Sequence, residues 1–208
     1  MKKFAIQLRL EARTGRRERP TPPHRHRGAD SMRLLDNLLF KLTASRPTRL
    51  IKLDAGPYLE RYYLGQIGPA TLYLHRFVSP DRERHLHNHP WTWGRALVLS
   101  GGYSEEVVED ISAAAESGCV LRTRWVSWFN RVDGNRFHRI AAAKPGTWTL
   151  FIHGPRAVVP GGMASKLKGW GFLEPLAGSV VFRPFASGTP QWWLDAPLGR
   201  DSDREPLS

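Results

Sequence analysis

The stretch His85-Leu86-His87-Asn88-His89-Pro90-Trp91 carries an imidazole at every second position and then a proline. In an extended strand, successive side chains point to opposite faces, so residues two apart lie on the same face. His87 and His89 would then project to one side, roughly 7 Å apart at the usual rise per residue. Histidine is the commonest protein ligand for first-row transition metals. The stretch therefore predicts a strand that supplies two ligands of a metal site.

The sequence around this stretch has the pattern of an all-β domain. From Arg49 onward, short apolar runs are broken by turn pairs such as Gly68-Pro69 and Pro145-Gly146. Many strands at short intervals predict an antiparallel sandwich or barrel. We predict strands at residues 49–53, 58–64, 71–78, 84–89, 96–99, 103–109, 120–129, 136–141 and 148–153, with late strands at 180–185 and 191–194.

One helix is predicted before the strands, because leucines recur there at helical spacing after Ser31, a candidate N-cap. These leucines are Leu34, Leu35, Leu38, Leu39 and Leu42, and we expect them to pack on the domain or on a partner subunit of a homodimer. The sequence thus divides into four segments: a basic, disordered arm over residues 1–30, an amphipathic helix over 31–46, a β-barrel domain over 47–195 and a flexible tail over 196–208.

Composition limits the classes of function. A chain of 208 residues suffices for one domain with a sizeable core. Of the net charge of +12, a share of +7 lies in residues 1–33, so a solvated arm is preferred and nucleic-acid contact by that arm is the alternative. The single cysteine, Cys119, cannot form an internal disulfide, and no apolar run approaches the roughly 20 residues of a membrane helix. We therefore expect a cytoplasmic protein with no membrane contact.

A third metal ligand must come from another strand, and His138 is the leading candidate. It follows the turn pair Asp133-Gly134, which would let its strand lie opposite His87 and His89. Three imidazoles with open coordination positions suit Fe(II), Mn, Ni, Cu or Zn. The alternative for His138 is a hydrogen-bonded core histidine.

Two carboxylates on the next strand could complete the site. Glu105 and Glu106 follow Tyr103, and alternation turns one of them inward. We expect Glu105 to be inward, as a fourth ligand or a general base, with Tyr103 assisting proton transfer. The alternative is a pair of solvated carboxylates, and Glu106 is kept as a reserve ligand.

The remaining histidines and tryptophans have supporting roles in this interpretation. His85 shares a face with His87 and is a reserve ligand, while His75 and His153 are expected to be structural or to support the ligands. Most tryptophans are expected in the core, and some could line a dry pocket around the metal. The candidates for that lining are Trp91, Trp93 and Trp148.

The His87-x-His89 pair, a strand that ends at Gly101 and His138 after a glycine turn resemble the two metal motifs of the cupin superfamily. That pattern combines a His-x-His, a glutamate and a glycine with a later segment that contains proline, glycine and histidine. Longer strings more particularly resemble small cupin-like proteins of bacteria and phages, over about residues 49–175. These strings are His87-Asn88-His89-Pro90-Trp91, Leu97-Val98-Leu99-Ser100-Gly101-Gly102-Tyr103 and Trp148-Thr149-Leu150-Phe151-Ile152.

This resemblance implies an antiparallel double-stranded β-helix, the cupin jelly-roll barrel, here with one N-terminal helix. It also implies a divalent transition metal, with Fe(II) as the first expectation and Zn, Mn or Ni as alternatives. In one respect the chain departs from the pattern, because the usual glutamate would fall near Trp93 or Gly94. Either the site uses only histidines, or Glu105 or Glu106 replaces the missing carboxylate.

Two functional hypotheses follow. The first is an Fe(II)-dependent, dioxygenase-like oxidoreductase that acts on a small polar substrate. The second is a non-catalytic cupin module that binds a small ligand or nucleic acid, with residues 1–33 as a tether. A 2-oxoglutarate oxygenase is disfavoured because no His-x-Asp/Glu is present in the histidine stretch, and a zinc deaminase is disfavoured because Cys119 is the only thiol.

Overall fold

The computed structural model describes residues 27–53, 56–79, 85–108, 121–132, 136–156, 170–176, 179–184 and 191–207. One helix, α1 (Arg27–Leu42), precedes twelve strands, and three short 3-10 helices lie at Thr43–Ser45, Trp192–Leu194 and Gly199–Asp201. The strands are β1 (Thr48–Leu53), β2 (Gly56–Ile67), β3 (Ala70–Phe77), β4 (Leu86–His87), β5 (Gly94–Ser100), β6 (Tyr103–Val108), β7 (Leu121–Val126), β8 (Phe129–Val132), β9 (Phe137–Ala143), β10 (Thr147–His153), β11 (Gly171–Leu176) and β12 (Ser179–Pro184). The arm predicted over residues 1–30 lies almost wholly outside the described residues.

The twelve strands form two six-stranded antiparallel sheets. Their orders are β1-β2-β3-β10-β5-β8 in the first sheet and β12-β11-β4-β9-β6-β7 in the second. Between β3 and β11 the chain repeatedly crosses from one sheet to the other, which is the winding of a double-stranded β-helix. The predicted fold class, an all-β antiparallel jelly roll with one N-terminal helix, is confirmed.

The core lies between the sheets, and the alternation of side chains builds it. Along β5, Ala96 and Val98 are buried while the residues between them are only half-buried. Val98 packs in a cluster with Tyr103 of β6 and Ile140 of β9, so that cluster joins the two sheets. Removing this apolar surface from water is the main force that closes the barrel.

The strand predictions differ from the structure at four places. Of the described part of the predicted strand 84–89, only Leu86–His87 pairs in a ladder, and the described residues 121–129 contain β7, a bend at Ser127 and Trp128, and the start of β8. Residues 191–194 were expected as a strand, but Gln191 has φ +57° and starts a 3-10 helix. Strand β11 was not predicted, because its sequence, Gly171–Leu176, contains a glycine and a proline.

Helix α1 is amphipathic, as predicted, and lies against the first sheet. Leu39 is buried in a cluster with Tyr62 and Trp148, and Asp36 accepts a hydrogen bond from Trp148 Nε1 at 2.6 Å. The opposite face of the helix exposes Leu34, Leu38 and Leu42. Packing on the domain is therefore confirmed for part of the leucine set, and a partner subunit stays a prediction.

Among the described residues, no helix combines the length and apolar character that a membrane crossing requires.

The C-terminal segment, predicted as a flexible tail over 196–208, is hydrogen-bonded to the barrel. Arg76 donates to the carbonyl oxygens of Glu205 and Pro206 at 2.6 and 3.0 Å. The fully buried Glu60 forms an ion pair with Arg76 at 3.3 Å and accepts a 2.6 Å hydrogen bond from the backbone N–H of Glu205. The polar residues of this segment predict a solvated tail. The sequence does not reveal its buried partners, because they lie on strands far away in the chain.

Replacing Glu60 with glutamine is expected to lower the free energy of unfolding by about 3 kcal/mol, since it leaves the buried Arg76 guanidinium with Asp36, at 3.9 Å, as its remaining charge partner. The matched control is Glu106→Gln, which breaks the more exposed pair with Arg139 and should cost only about 0–1 kcal/mol. Urea titrations at pH 7 measure both values. Equal losses in the two variants would show that burial of the Glu60–Arg76 pair contributes nothing.

Candidate metal centre

Strand β4 brings the first histidine to the middle of the second sheet. His87 lies directly opposite His138 of β9 in an antiparallel ladder, so the two side chains project to the same face. His89 lies two residues beyond, after the strand has ended. The structure thus brings together the three predicted histidines. His87 and His138 lie on strands, whereas His89 follows the end of β4.

The three imidazoles converge on one point. One ring nitrogen from each of His87, His89 and His138 lies within 4.8 Å of the other two, and Nε2 of His89 is 2.7 Å from Nε2 of His138. Ring centroids are separated by 5.0–5.1 Å. Metal–nitrogen bonds of about 2.0–2.1 Å place neighbouring ligand nitrogens about 3 Å apart, so this cluster is close to the spacing that a bound ion requires.

Asn88, between the two histidines, fixes their segment to the sheet. Its side chain is fully buried, and its Oδ1 accepts a hydrogen bond from the backbone N–H of Gly171 at 2.8 Å. The backbone N–H of Asn88 in turn donates to the carbonyl oxygen of Gly171 at 3.3 Å. This pair of bonds continues the contact with β11 past the end of β4. Sequence reasoning did not assign Asn88 a role, although a polar residue enclosed by two ligands was a usable signal.

Glu105 lies behind His138, on the side away from the other two histidines. Its Oε1 is 2.5 Å from Nδ1 of His138, and it also receives hydrogen bonds from Arg124 at 2.7 Å and Asn130 at 2.9 Å. Burial opposes ionisation, but the hydrogen bonds and charges of His138, Asn130 and Arg124 outweigh it and hold the pKa of Glu105 at about 2. The carboxylate therefore accepts the Nδ1 proton and leaves the Nε2 lone pair of His138 directed at the cluster.

Among the described residues, no carboxylate joins the histidines in the group that could hold a metal ion. The metal-competent group contains only His87, His89 and His138, and Glu105 contacts His138 rather than completing the group. Glu105 is buried, as alternation predicts, while Glu106 points outward and pairs with Arg139 at 2.6 Å. This geometry places Glu105 where it can position His138, and its predicted role as a ligand or general base stays a prediction.

Tyr103 lines the cavity in front of the histidines. Its Oη accepts a hydrogen bond from Asn130 Nδ2 at 3.0 Å, and the same Asn130 also binds Glu105. Burial, followed by the nearby Glu105 charge, raises the pKa of Tyr103 above its usual range. The phenol therefore keeps its proton at neutral pH and can act as a hydrogen-bond donor toward the cavity.

The histidine cluster forms part of the wall of a cavity of about 500 Å³. Such a volume matches the clefts that enclose small molecules. Trp91 stacks on the ring of His89 with centroids 4.8 Å apart and on that of His153 with centroids 4.3 Å apart. Other aromatic residues of the wall include Tyr73, Phe151, Trp192 and Trp193.

Several predicted site residues lie elsewhere. His85 is exposed and outside the histidine cluster, so it is not placed as a reserve ligand. Trp93 packs against Gly154, and Trp148 is enclosed between α1 and the first sheet; neither lines the cavity. Of the three tryptophans predicted to line a pocket, only Trp91 does so, because the side chains of Trp148 and the β10 residues that line the cavity point to opposite faces.

His153 lines the cavity as a neutral imidazole. Its Nδ1 lies 2.7 Å from the carbonyl oxygen of Gly154, so Nδ1 carries the proton that this contact needs. Burial, with a smaller contribution from the charges of Arg61 and Arg156, lowers the pKa of His153 to about 4 in spite of that hydrogen bond. His75, which also lines the cavity, has a pKa well below its usual value, mainly because of burial and then the Arg61 charge.

The sequence matches no family model and no curated protein sequence. Similar solved structures include Fe(II)-HppE with the alternative substrate (S)-1-HPP, at 14% identity over 52% of this chain and 55% of that chain, with a TM-score of 0.38. A candidate mannose-6-phosphate isomerase from Ralstonia eutropha JMP134 has 16% identity over 50% of this chain and 91% of that chain (TM-score 0.36). Oxalate decarboxylase from Bacillus subtilis has 16% identity over 55% of this chain and 28% of that chain (TM-score 0.39).

The match thus spans little more than half the length of HppE and about a quarter of the oxalate decarboxylase chain. The class of protein is defined by the chain's own fold and site. It is a double-stranded β-helix protein in which three histidines form a cluster suited to a divalent metal.

Glu105→Gln is expected to weaken Zn(II) affinity about 10- to 100-fold, because an amide no longer holds His138 in the ligand tautomer and orientation with the strength of a carboxylate. Competition with a chromophoric chelator measures the affinity. Glu106→Gln, on the neighbouring outward-facing position, is the matched control and should retain the wild-type value. An unchanged affinity in Glu105→Gln would contradict the positioning role.

The neutral His153 also predicts a dependence of stability on pH. Because its pKa is about 4 in the folded chain and about 6.5 in the unfolded chain, the unfolded state binds more protons between these values. The contribution of His153 to stability is complete above pH 6.5, declines as the pH falls toward 4 and is constant below that. The free energy of unfolding of His153→Gln should therefore fall less steeply with acid over this window than that of the wild type. His85→Gln, at an exposed position, should keep the wild-type slope, and equal slopes in all three proteins would contradict the prediction.

Proposed function

We propose that the protein is a metal-dependent cupin-type oxidoreductase that holds Fe(II) through His87, His89 and His138 and acts with O₂ on a small molecule in the adjoining cavity. The observation that carries this proposal is the convergence of three buried or half-buried imidazole nitrogens at one wall of a cavity. Three protein ligands leave coordination positions for other molecules, which is the arrangement of catalytic rather than structural metal sites.

The donor set suits iron and other first-row transition metals, and does not suit metals that prefer oxygen ligands. Imidazole nitrogens suit Fe, Zn, Cu and Ni, whereas an all-oxygen set would favour Mg or Ca. The Glu105 carboxylate behind His138 is the partner that metal-bound histidines commonly have, and it strengthens the imidazole as a donor. When bound, a ferrous ion supplies the redox chemistry with O₂ that no side chain of this cavity provides. Zn, Mn and Ni remain alternatives within the same proposal.

The chain's own residues prepare the reaction around the metal. Glu105 and Asn130 hold His138 and Tyr103 in place, since Asn130 donates to both the carboxylate and the phenol oxygen. Tyr103 keeps a proton at Oη because its pKa is raised, so it can donate a hydrogen bond to a substrate oxygen. Trp91 and Phe151 contribute apolar surface to the cavity wall, and polar contacts beside such surface are stronger than in open water.

Metal content tests the proposal. Protein reconstituted with Fe(II) without oxygen and desalted is expected to hold about one iron per chain by elemental analysis, as a single three-histidine site requires. The His87→Ala/His89→Ala variant should hold none, and a His85→Ala variant, which alters only the exposed histidine of the same stretch, should hold as much as the wild type. Wild-type protein that retains no iron, or a double variant that retains it, would refute the proposed site.

A further inference from the structure

The cavity beside the histidine cluster is positively charged. The described residues that line it include three arginines, Arg49, Arg61 and Arg156, and no aspartate or glutamate. Arg49 and Arg156 are exposed, whereas Arg61 is half-buried on β2. An enclosed space with guanidinium groups and no facing carboxylate attracts anions and repels cations.

Arg61 has a fixed orientation within this cavity. It lies opposite His75 of β3 in the antiparallel ladder, and its Nε donates a hydrogen bond to His75 Nε2 at 3.1 Å. Its guanidinium carbon lies 5.5 Å from the centre of the Tyr73 ring. The planar group is thus held beside the neighbouring rings of His75 and Tyr73, and a guanidinium so placed can bind a carboxylate by charge-assisted hydrogen bonds.

His75 and His153 add no positive charge to that of the arginines. Arg61 itself lowers the pKa values of His75 and His153, after burial as the larger cause, so both imidazoles are neutral at pH 7. Neutral His75 can accept the Arg61 hydrogen bond at Nε2, which a protonated ring could not do. The two imidazoles therefore behave as flat aromatic surfaces of the wall.

Aromatic rings and imidazoles form a large part of the cavity wall. Tyr73 stacks with His153 at 5.6 Å and with Trp192 at 5.9 Å between ring centroids, and His153 stacks with Trp91 at 4.3 Å. Trp193 contacts the Tyr73 ring in an edge-to-face arrangement, with the ring centroids 6.4 Å apart. Parallel rings of this kind present flat, apolar faces against which an aromatic body can stack.

We propose that the molecule this cavity binds is an aromatic carboxylic acid, with its ring against the Tyr73 and Trp91 walls and its carboxylate on Arg61. The identification of this ligand as the substrate rests on the proposed function. Aromatic boxes also bind quaternary ammonium ions, but the three arginines oppose a cationic ligand here. The substrate would then be an acid with an aromatic body, which is a more specific class than the small polar substrate predicted from the sequence.

Three probes of similar size and different charge test this inference: benzoate, benzamide and benzyltrimethylammonium. Binding to the full chain is measured by calorimetry and tryptophan fluorescence, in metal-free protein and in protein loaded with Zn(II). Benzoate is expected to bind about tenfold or more tightly than benzamide in both forms, because a charge-assisted pair with Arg61 replaces a neutral contact. Benzyltrimethylammonium should bind least.

A substitution separates Arg61 from the metal as the source of the preference. Arg61→Gln should reduce benzoate affinity to that of benzamide in metal-free protein, while Arg200→Gln, on a surface arginine outside the cavity, should leave it unchanged. In the wild-type protein, the inference is overturned if benzoate and benzamide bind equally, if the ammonium binds best, or if none of the probes binds. It is also overturned if the preference for benzoate requires Zn(II) and persists in Arg61→Gln. The ranking of probes on the wild-type protein decides the matter even where the Arg61 variant does not fold.

The two proposals fail in different ways. Protein that retains iron but does not prefer benzoate overturns the ligand inference and leaves the metal site intact. Protein that prefers benzoate through Arg61 but retains no iron overturns the proposed oxidoreductase and leaves the binding of an aromatic acid in place.

Discussion

The contact between Glu105 and His138 is the interaction on which the site depends. A carboxylate with no exposed surface is costly to bury, and it stays ionised here because Arg124, Asn130 and His138 all donate to it. These four residues lie on β6, β7, β8 and β9, and β8 belongs to the first sheet while the others belong to the second. One buried charge thus orients a metal-binding imidazole and also joins the two layers of the barrel.

Much of the architecture and the three central residues could be predicted from local pattern. Period-two alternation marked β5 and β6 as strands with one buried face, and turn residues marked their limits. The His-x-His spacing selected His87 and His89, and a later strand supplied His138. These features are readable because strand geometry relates neighbouring letters directly to positions in space.

The parts that could not be predicted depend on partners far apart in the chain. Trp148 was assigned to a pocket, yet its indole binds Asp36, 112 residues earlier, on the outer side of the first sheet. Glu105 was assigned a catalytic position, yet its partner His138 is 33 residues away and turns it behind the ligands. Arg61 was not selected, because an arginine on a strand is ordinarily exposed and nothing nearby in sequence indicates the cavity that it enters.

The hydrogen bonds between Asn88 and Gly171 indicate when the histidine cluster is completed during folding. The segment that holds two of the three ligands is completed by backbone and side-chain bonds to a residue 83 positions later. Contacts of such long sequence separation form late, because the entropy of closing a large loop must be overcome first. A ribosome-bound chain that has emerged only as far as β10 carries all three histidines without the strand that fixes two of them. The histidine cluster is therefore completed only after β11 has joined the sheet, and an ion bound there would add its binding energy to the stability of the folded barrel.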